Sequence, residues 1–491
     1  MKKIYFVVII TLLMLIVFTP ACGDNSKNTP ENKNTDGNDE LTMDTDISDN
    51  LPDFNFGGEV INILTGSELS IIHFDFVMEE ITGERINDAI LNATTEIEER
   101  FNFNLKQLEI SHPEVPNSIR KNASAGDNAY DIAMIVDRFA VQLVSEGRYF
   151  YYLDELPYIN PDKPYWDKSL NECVSINGKN YYALGACSLP TYDMMGFLVY
   201  NKDIHESHTL ESVYQLVKNG KWTFDRFMEM ARDVTDDITG DGNMTQDDRY
   251  GIITHSGFGY PSFWVVNRAF LVDKDENDIP YFNVPGNEKL FNIFDKVYEL
   301  VTSSYEYSVS RNPIKNGHND QFDPLIMFKD GHGLFATASA FTTQILNDMD
   351  ADYGIVPYPA LQEKQPGEPY LSRLSFTVPL IVPTTADAER GSVILEALSC
   401  VYYKYVVPEF RDITVQTKLT RDEESVEILE MLFANRVVDM GDTIWYNDIR
   451  LQYENLFTQR KDTFQALTES IQDKANRLID TAIDAIVTAN D

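Results

Sequence analysis

The chain has 491 residues and a formal charge of −38, from 78 Asp and Glu against 40 Lys and Arg. That charge excludes a nucleic-acid binder and a protein held on an anionic membrane by basic patches, since both need an excess of cations. Hydrophobic residues at 43% and aromatic residues at 12% exclude a disordered chain and supply apolar mass for two or more domains.

The first 18 residues are a basic Met1-Lys-Lys3 followed by the apolar run from Ile4 to Phe18. The run falls short of the ~20 residues a transmembrane helix needs, so it reads as an export leader. It ends at Thr19-Pro-Ala-Cys22, which is similar to a bacterial lipobox with Cys22 as the lipidated residue. Thr19 stands where that motif usually has Leu, and Pro20 is atypical. The alternatives are an uncleaved anchor or an ordinary secretory signal, and both export the chain. Residues 23–53 hold no aromatic residue and set nine carboxylates against two lysines. Such a stretch repels itself and extends, so 23–55 is expected to be a disordered acidic tether.

Val60-Ile-Asn-Ile-Leu64, bounded by glycines, predicts a strand. Ile86, Ile90, Ala93, Ile97 and Phe101 recur at helical spacing, with Glu96, Glu98 and Glu99 on other faces as a solvated surface. Tyr130-Asp-Ile-Ala-Met-Ile-Val136 predicts a buried strand that runs into Asp137-Arg138-Phe139. Ligands of open α/β sheets sit at such carboxyl ends of strands. A helix N-cap by Asp137 with an exposed Arg138 explains the same residues.

Asn177-Gly178 is a two-residue type I′ turn signal, so 174–184 reads as a hairpin. A breaker-rich stretch, 185–193, then leads into the strand Gly196-Phe-Leu-Val-Tyr200. This is the pattern of a chain crossing from one lobe to another. Of the cysteines other than Cys22, Cys173 and Cys187 flank the turn, but the hairpin register sets Cys173 opposite Tyr182. Cys173, Cys187 and Cys400 are therefore expected to be free thiols.

Trp222-Thr-Phe-Asp-Arg-Phe227 opens a helix with Thr223 as its cap and Trp222 in the core. Asp237 to Asp248 has the twelve positions of a calcium loop, with Asp237, Thr239, Asp241, Asn243 and Asp248 as ligands and Gly242 at the turn. Asp at the last position makes it similar to dockerin-type loops, and Thr239 should weaken binding. The other reading is a solvated acidic turn. His205 and His208 could share a metal, but an exposed structural role fits them better.

Tyr260-Pro-Ser-Phe-Trp264 follows a Gly-rich loop and supplies either aromatic rings for a sugar face or the start of a buried helix. Tyr353-Gly-Ile-Val-Pro-Tyr-Pro359 marks a second crossing, 375–383 a buried strand, and 386–403 a helix. Ile444-Trp-Tyr-Asn-Asp-Ile-Arg450 lies in a helical carboxyl-terminal region.

Several of these segments, in order from about residue 57 to 455, resemble bacterial extracellular solute-binding proteins of the maltose-binding-protein class. They are Asp137-Arg-Phe139, Gly178-Lys179, Tyr200-Asn-Lys-Asp203, the Trp222 helix entry, Phe328 to Phe341, the Tyr353 segment and Trp445-Tyr446. The resemblance implies an α/β, two-lobed periplasmic-binding-protein type II fold with two or more interlobe crossovers, at about 186–193 and 353–358. Residues 56–188 with 357–405 form the first lobe, and 189–356 with 406–491 the second. It also implies a carbohydrate, expected to be neutral, held between the lobes. Asp137 and Arg138 would bond its hydroxyls, and Tyr192, Tyr260, Trp264, Phe341, Trp445 and Tyr446 would supply rings. Arg450 transfers with one extra residue before it. The implied role is the substrate-binding lipoprotein of an ABC importer, a monomer on the outer face of the cell membrane that delivers sugar to permease transmembrane subunits. A structural calcium ion is the one cofactor expected. The alternatives are a secreted glycoside hydrolase using two of the carboxylates, or a binding protein that feeds a chemosensory or sensor-kinase receptor. No nucleophile elbow, zinc-protease motif or phosphate loop is present in the sequence.

Overall fold

Thirteen strands follow in chain order in a computed structural model that describes residues 47–67, 75–318, 320–412 and 421–488. They are β1 (Glu59–Ser67), β2 (Phe103–Ser111), β3 (Ile132–Met134), β4 (Gly196–Asn201), β5 (Tyr250–Thr254), β6 (Val272–Lys274) and β7 (Pro280–Phe282). Then come β8 (Glu306–Ser308), β9 (Gly333–Ser339), β10 (Tyr353–Val356), β11 (Ser372–Arg373), β12 (Leu380–Ile381) and β13 (Arg436–Val437). One sheet has the order β12-β3-β1-β2 and a second the order β10-β4-β9-β5-β8. The leader and Cys22 lie outside the described residues, all of which belong to one unit, Met43–Asp491.

In the first lobe β1 pairs in parallel with β2 and β3, so helices must cross over between the strands. The helix Arg85–Phe101 makes one such crossing. It buries Ile86, Ala89, Ile90, Ala93, Ile97 and Phe101, the apolar stripe visible in the sequence. Each large side chain sealed in this way contributes about 1.5–3 kcal/mol. Helices Ala388–Val401 and Val407–Arg411 pack against it, and Arg85 Nε donates to Glu409 at 2.6 Å. The first lobe therefore runs past residue 405. Its start is also earlier than the composition implies: Asp49 accepts from Arg100 at 2.6 Å, and Phe54 meets Tyr158 with centroids 5.1 Å apart. A polar stretch reads as tether until a buried carboxylate within it, Asp49, finds a guanidinium.

Asn177 and Gly178 take φ of 54° and 72°, the left-handed pair a type I′ turn requires. The flanking strands are absent, because Lys168–Val174 is helical and only Ile176 and Lys179 pair across the turn. The chain then leaves the first sheet after Ala183, which bridges Leu380, and enters the second at β4 just past Met195, which bridges Leu374. The returning segment is thus 374–380, antiparallel to the outgoing one. The segment 353–358, expected as a crossing, is instead the edge strand β10, bonded to β4. Its apolar run and following prolines describe an edge strand equally well. Gly185 sits at the crossing because a Cβ there would lie 2.5 Å from the carbonyl oxygen of Tyr165.

The carboxyl-terminal elements close the structure. Glu423–Ala434 packs on β10, and Arg450–Thr458 on Ser256–Val265. The last helix, Phe464–Thr488, packs both on β7 and on the first-lobe helix Asp137–Glu146, so it belongs to neither lobe alone. Among the described residues no helix is long and apolar enough to cross a membrane.

Candidate functional site

The helix Asp137–Glu146 follows β3 closely, and its second residue, Arg138, lies near the ring of Tyr446. Asp137 occupies the first helical position, where the dipole favours an anion. Its carboxylate accepts from the backbone of Arg138 at 2.7 Å and from the backbone and hydroxyl of Thr377 at 2.8 and 2.9 Å. Burial pushes this carboxyl up, opposed by the Thr377 bonds and the Arg138 charge. Asp137 thus ties the helix to the returning crossover, with both oxygens engaged inside the fold.

Arg138 is different. It is half-buried, and its guanidinium carbon lies 5.2 Å from the Tyr446 ring centroid and 5.6 Å from that of Phe139. Among the described residues it makes no ion pair and no side-chain hydrogen bond. Arg450 also lies over the Tyr446 ring, at 4.1 Å. Beside them is a cavity of about 200 Å3 lined by Arg138, Gln142 and Ser145 of the first lobe, by Trp445 and Asp448, and by Thr481 of the last helix. An aromatic wall with several polar groups around it suits a small polar ligand.

Behind Tyr446 is a buried charged network. Arg373 is 1% exposed and holds Asp442 through two bonds of 2.5 and 2.9 Å. Arg450 reaches Asp442 at 3.2 Å, pairs with Glu454 one helical turn on, and Glu454 accepts from the Ser256 hydroxyl at 2.8 Å. Burial lowers the Arg450 pKa, against the pull of Glu454 and Asp442. Two guanidiniums and two carboxylates balance, which is how such charges survive in the interior. His255, at the carboxyl end of β5, faces this network with its Nδ1 unpartnered, and burial holds the ring below the ordinary histidine range.

The other expected ligand residues are scattered. Tyr260 and Trp264 are both fully buried, because Ser256–Val265 forms a helix rather than a loop. Trp264 packs on Phe294 and Phe457, at 5.6 and 5.9 Å between centroids. Tyr260 donates to Glu306 at 2.9 Å and accepts from Arg311 at 2.7 Å. Both are core residues in this structure, with no ring face left for a ligand, and this corrects the aromatic-loop reading. Tyr192 lies at the outgoing crossover under Arg436, 4.5 Å from ring to guanidinium, and that arginine pairs with Asp167. Phe341 follows β9 and meets Phe322 edge-on at 5.1 Å. Trp445, Tyr446, Arg450 and Arg138 are therefore the expected residues that the fold brings together.

Arg373, Asp442, Glu454 and His255 escaped the sequence reading. Glu454 had a signal, standing four residues after Arg450. Arg373 stands in Leu371-Ser-Arg-Leu-Ser375, a stretch with no local signal of a partner. Trp222 is in the core as expected, donating to Pro357 at 2.8 Å. Cys173, Cys187 and Cys400 are free thiols.

In the loop 237–248, Asp237 accepts from the backbone of Gly240 and of Gly242, each at 2.7 Å, and Asp241 from that of Asn243 at 2.7 Å. Asp248 is buried and accepts from Thr239 and Thr245 backbone amides at 3.1 and 2.8 Å, which pulls it down to about 2. His205 and His208 each bond a nearby carbonyl, of Glu211 and Ile204. Among the described residues no group of three or more His, Cys, Asp or Glu side chains is arranged to hold a metal ion.

No curated protein matches the chain in sequence. Solved structures do match its shape. The sugar-binding protein MalE from Xanthomonas citri superposes with a TM-score of 0.57 at 12% identity, over 86% of this chain and 97% of its own. UgpB from Mycobacterium tuberculosis, solved with glycerophosphocholine, gives 0.55 at 16% identity over 87% and 100%. An ABC substrate-binding protein from Listeria monocytogenes, solved with cycloalternan, gives 0.54 at 13% identity over 86% and 99%. At such identities the likeness is one of fold, the two-lobed type II binding-protein architecture. The family described as bacterial extracellular solute-binding protein matches residues 92–395, more than half of the sequence, and the chain belongs to it.

Proposed function

We propose that the chain is the substrate-binding lipoprotein of an ABC importer, and that it captures a sugar or oligosaccharide between its lobes. The observation that carries this reading is the cavity where Arg138, Gln142 and Ser145 of one lobe meet Trp445 of the other. A pyranose has an apolar C–H face that packs on an indole and hydroxyls that need polar partners. The neighbours solved with cycloalternan and the sugar-binding MalE support the same class of ligand. The paired crossovers at 184–195 and 374–380 supply a hinge on which the lobes close over the ligand.

Ligand leaves unchanged and passes to permease transmembrane subunits. Cys22 carries the lipid that keeps the monomeric protein at the outer face of the membrane, with the acidic stretch that follows it as the tether. The loop 237–248 binds calcium as a structural ion in exchange for some of its internal hydrogen bonds.

Calorimetry of the purified protein against a panel of neutral and acidic sugars, with product analysis after long incubation, tests the central reading. Saturable binding without turnover is the expected result. Steady release of shorter products would make the protein a glycoside hydrolase, and binding of amino acids or peptides alone would remove the sugar. For the anchor, Cys22→Ser should release the protein into the medium, and unchanged membrane association would exclude lipidation there.

A further inference from the structure

The cavity beside Arg138 is lined by two carboxylates, and both are already neutralised. Glu146 receives two bonds from Arg120, at 2.5 and 2.8 Å, and Asp448 pairs with Lys474 at 2.6 Å. Asp137, the neighbour of Arg138 in sequence, directs its oxygens at Thr377 and at the Arg138 backbone amide. Arg450 and Arg373 are balanced by Asp442 and Glu454. Arg138 has no such partner among the described residues: it makes no ion pair and no side-chain hydrogen bond, lies near the rings of Phe139 and Tyr446, and feels the Asp137 carboxylate only through space.

In a chain with 78 carboxylates and 40 basic residues, this half-buried guanidinium at the cavity wall is left without a carboxylate of its own and can take one from a ligand. The other arginines around it are each paired two or three ways. The fork of a guanidinium fits a carboxylate with two parallel bonds, a geometry that a neutral hydroxyl cannot match. We infer that the ligand is an acidic sugar, a uronic acid or an oligosaccharide containing one, whose carboxylate is taken by Arg138 while Trp445 covers a ring face. This rests on the reading of the cavity as a sugar site, and it replaces the neutral carbohydrate expected from sequence.

The test uses the full-length protein and calorimetry with disaccharides of galacturonate, glucuronate and mannuronate, each beside its neutral counterpart. At least one acidic member should bind about ten-fold or more tightly than its neutral pair, the scale of a charge-assisted bond. Arg138→Gln should remove that advantage, so that the acidic member binds no more tightly than its neutral counterpart. Arg138→Lys should keep part of it, which separates lost charge from lost folding. Rising salt should weaken only the acidic member. Neutral sugars that bind as tightly as acidic ones, or an Arg138→Gln variant that loses both equally, overturn the inference and leave the sugar site standing. If no sugar of either kind binds, the sugar reading falls and takes the inference with it.

Discussion

Arg138 of the first lobe lies 5.2 Å from the centre of the Tyr446 ring, and Arg450 of the second lobe lies 4.1 Å from the same centre. One tyrosine thus contacts a spare cation on one lobe and, on the other, a cation paired with two carboxylates. Contacts of this kind are worth about 0.5–2 kcal/mol each, depending on how far they are desolvated. They place Arg138 without neutralising it, whereas Arg450 is fixed by carboxylates. The difference sorts the two arginines by role: Arg450 builds the second lobe, and Arg138 is available.

Asp442 carries the support of that arrangement, since Arg373 and Arg450 both depend on it. Asp442→Ala leaves the buried Arg373 with no carboxylate and Arg450 with Glu454 alone. Breaking a buried pair by removing one partner costs about 3–5 kcal/mol. Urea unfolding should show a loss of that size. Adding Arg373→Met to Asp442→Ala should recover part of it, because one unpaired charge goes with it. A loss below about 1 kcal/mol would mean that the network is hydrated and contributes little.

His255 sets an acid limit on stability. Burial disfavours its charged form, with Arg450 acting in the same direction and Glu454, Asp320 and Asp323 opposing. The folded pKa is therefore lower than the unfolded one, which is about 6.5. Below that value the unfolded chain binds a proton that the folded chain refuses, so stability falls as pH drops. The melting temperature of the wild type should fall further between pH 7.5 and 5.5 than that of His255→Gln. Equal falls in the two proteins would show that another group is responsible.

Much of the fold was legible because its cause is periodic. The stripe from Ile86 to Phe101 and the run from Gly196 to Tyr200 each signal an element within a short window. The returning crossover was misplaced because a strand edge and a hinge share the same apolar residues and prolines, and pairing with β4 decides between them. At the site, Trp445, Tyr446 and Arg138 were found by their chemistry. Asp442 and Arg373 are 69 positions apart, and no local pattern joins them. Tyr260 and Trp264 misled because an aromatic cluster after glycines reads as an exposed loop, and only the helix through Pro261 turns it inward.

Calcium should stabilise the loop 237–248. Asp248 is held ionised by backbone donors and is pulled down to about 2, so it stays charged at every pH at which the protein works. Asp237 and Asp241 add charge nearby with only amide and hydroxyl donors to offset it. A cation that binds only the folded state adds about 1.4 kcal/mol at ten times its Kd. Melting in millimolar calcium against chelator should show the gain, and Asp237→Asn with Asp241→Asn should abolish it. An identical melting temperature in calcium and chelator would exclude the ion. The depressed Asp248 value carries a separate sign: its stabilising effect is present above the unfolded carboxylate range and is lost as pH falls toward about 2. The stability gap between wild type and Asp248→Asn should therefore narrow on acidification.

Trp445 offers the last test. The residue is 5% exposed, and it lines the cavity together with Arg138 of the first-lobe helix. Its backbone amide bonds Met440, so the ring is placed by a short helical segment rather than by a free loop. A platform fixed in this way pays little entropy on binding. Trp445→Ala should then cost about 1–3 kcal/mol of sugar affinity, the scale for a buried aromatic anchor. Trp445→Phe should keep most of the affinity, because a smaller ring still covers a pyranose face. The loss should be alike for neutral and acidic sugars, since an indole contacts C–H groups and not the carboxylate. If Trp445→Ala instead weakens only acidic sugars, the ring acts by positioning Arg138 through Tyr446, and the platform role is withdrawn.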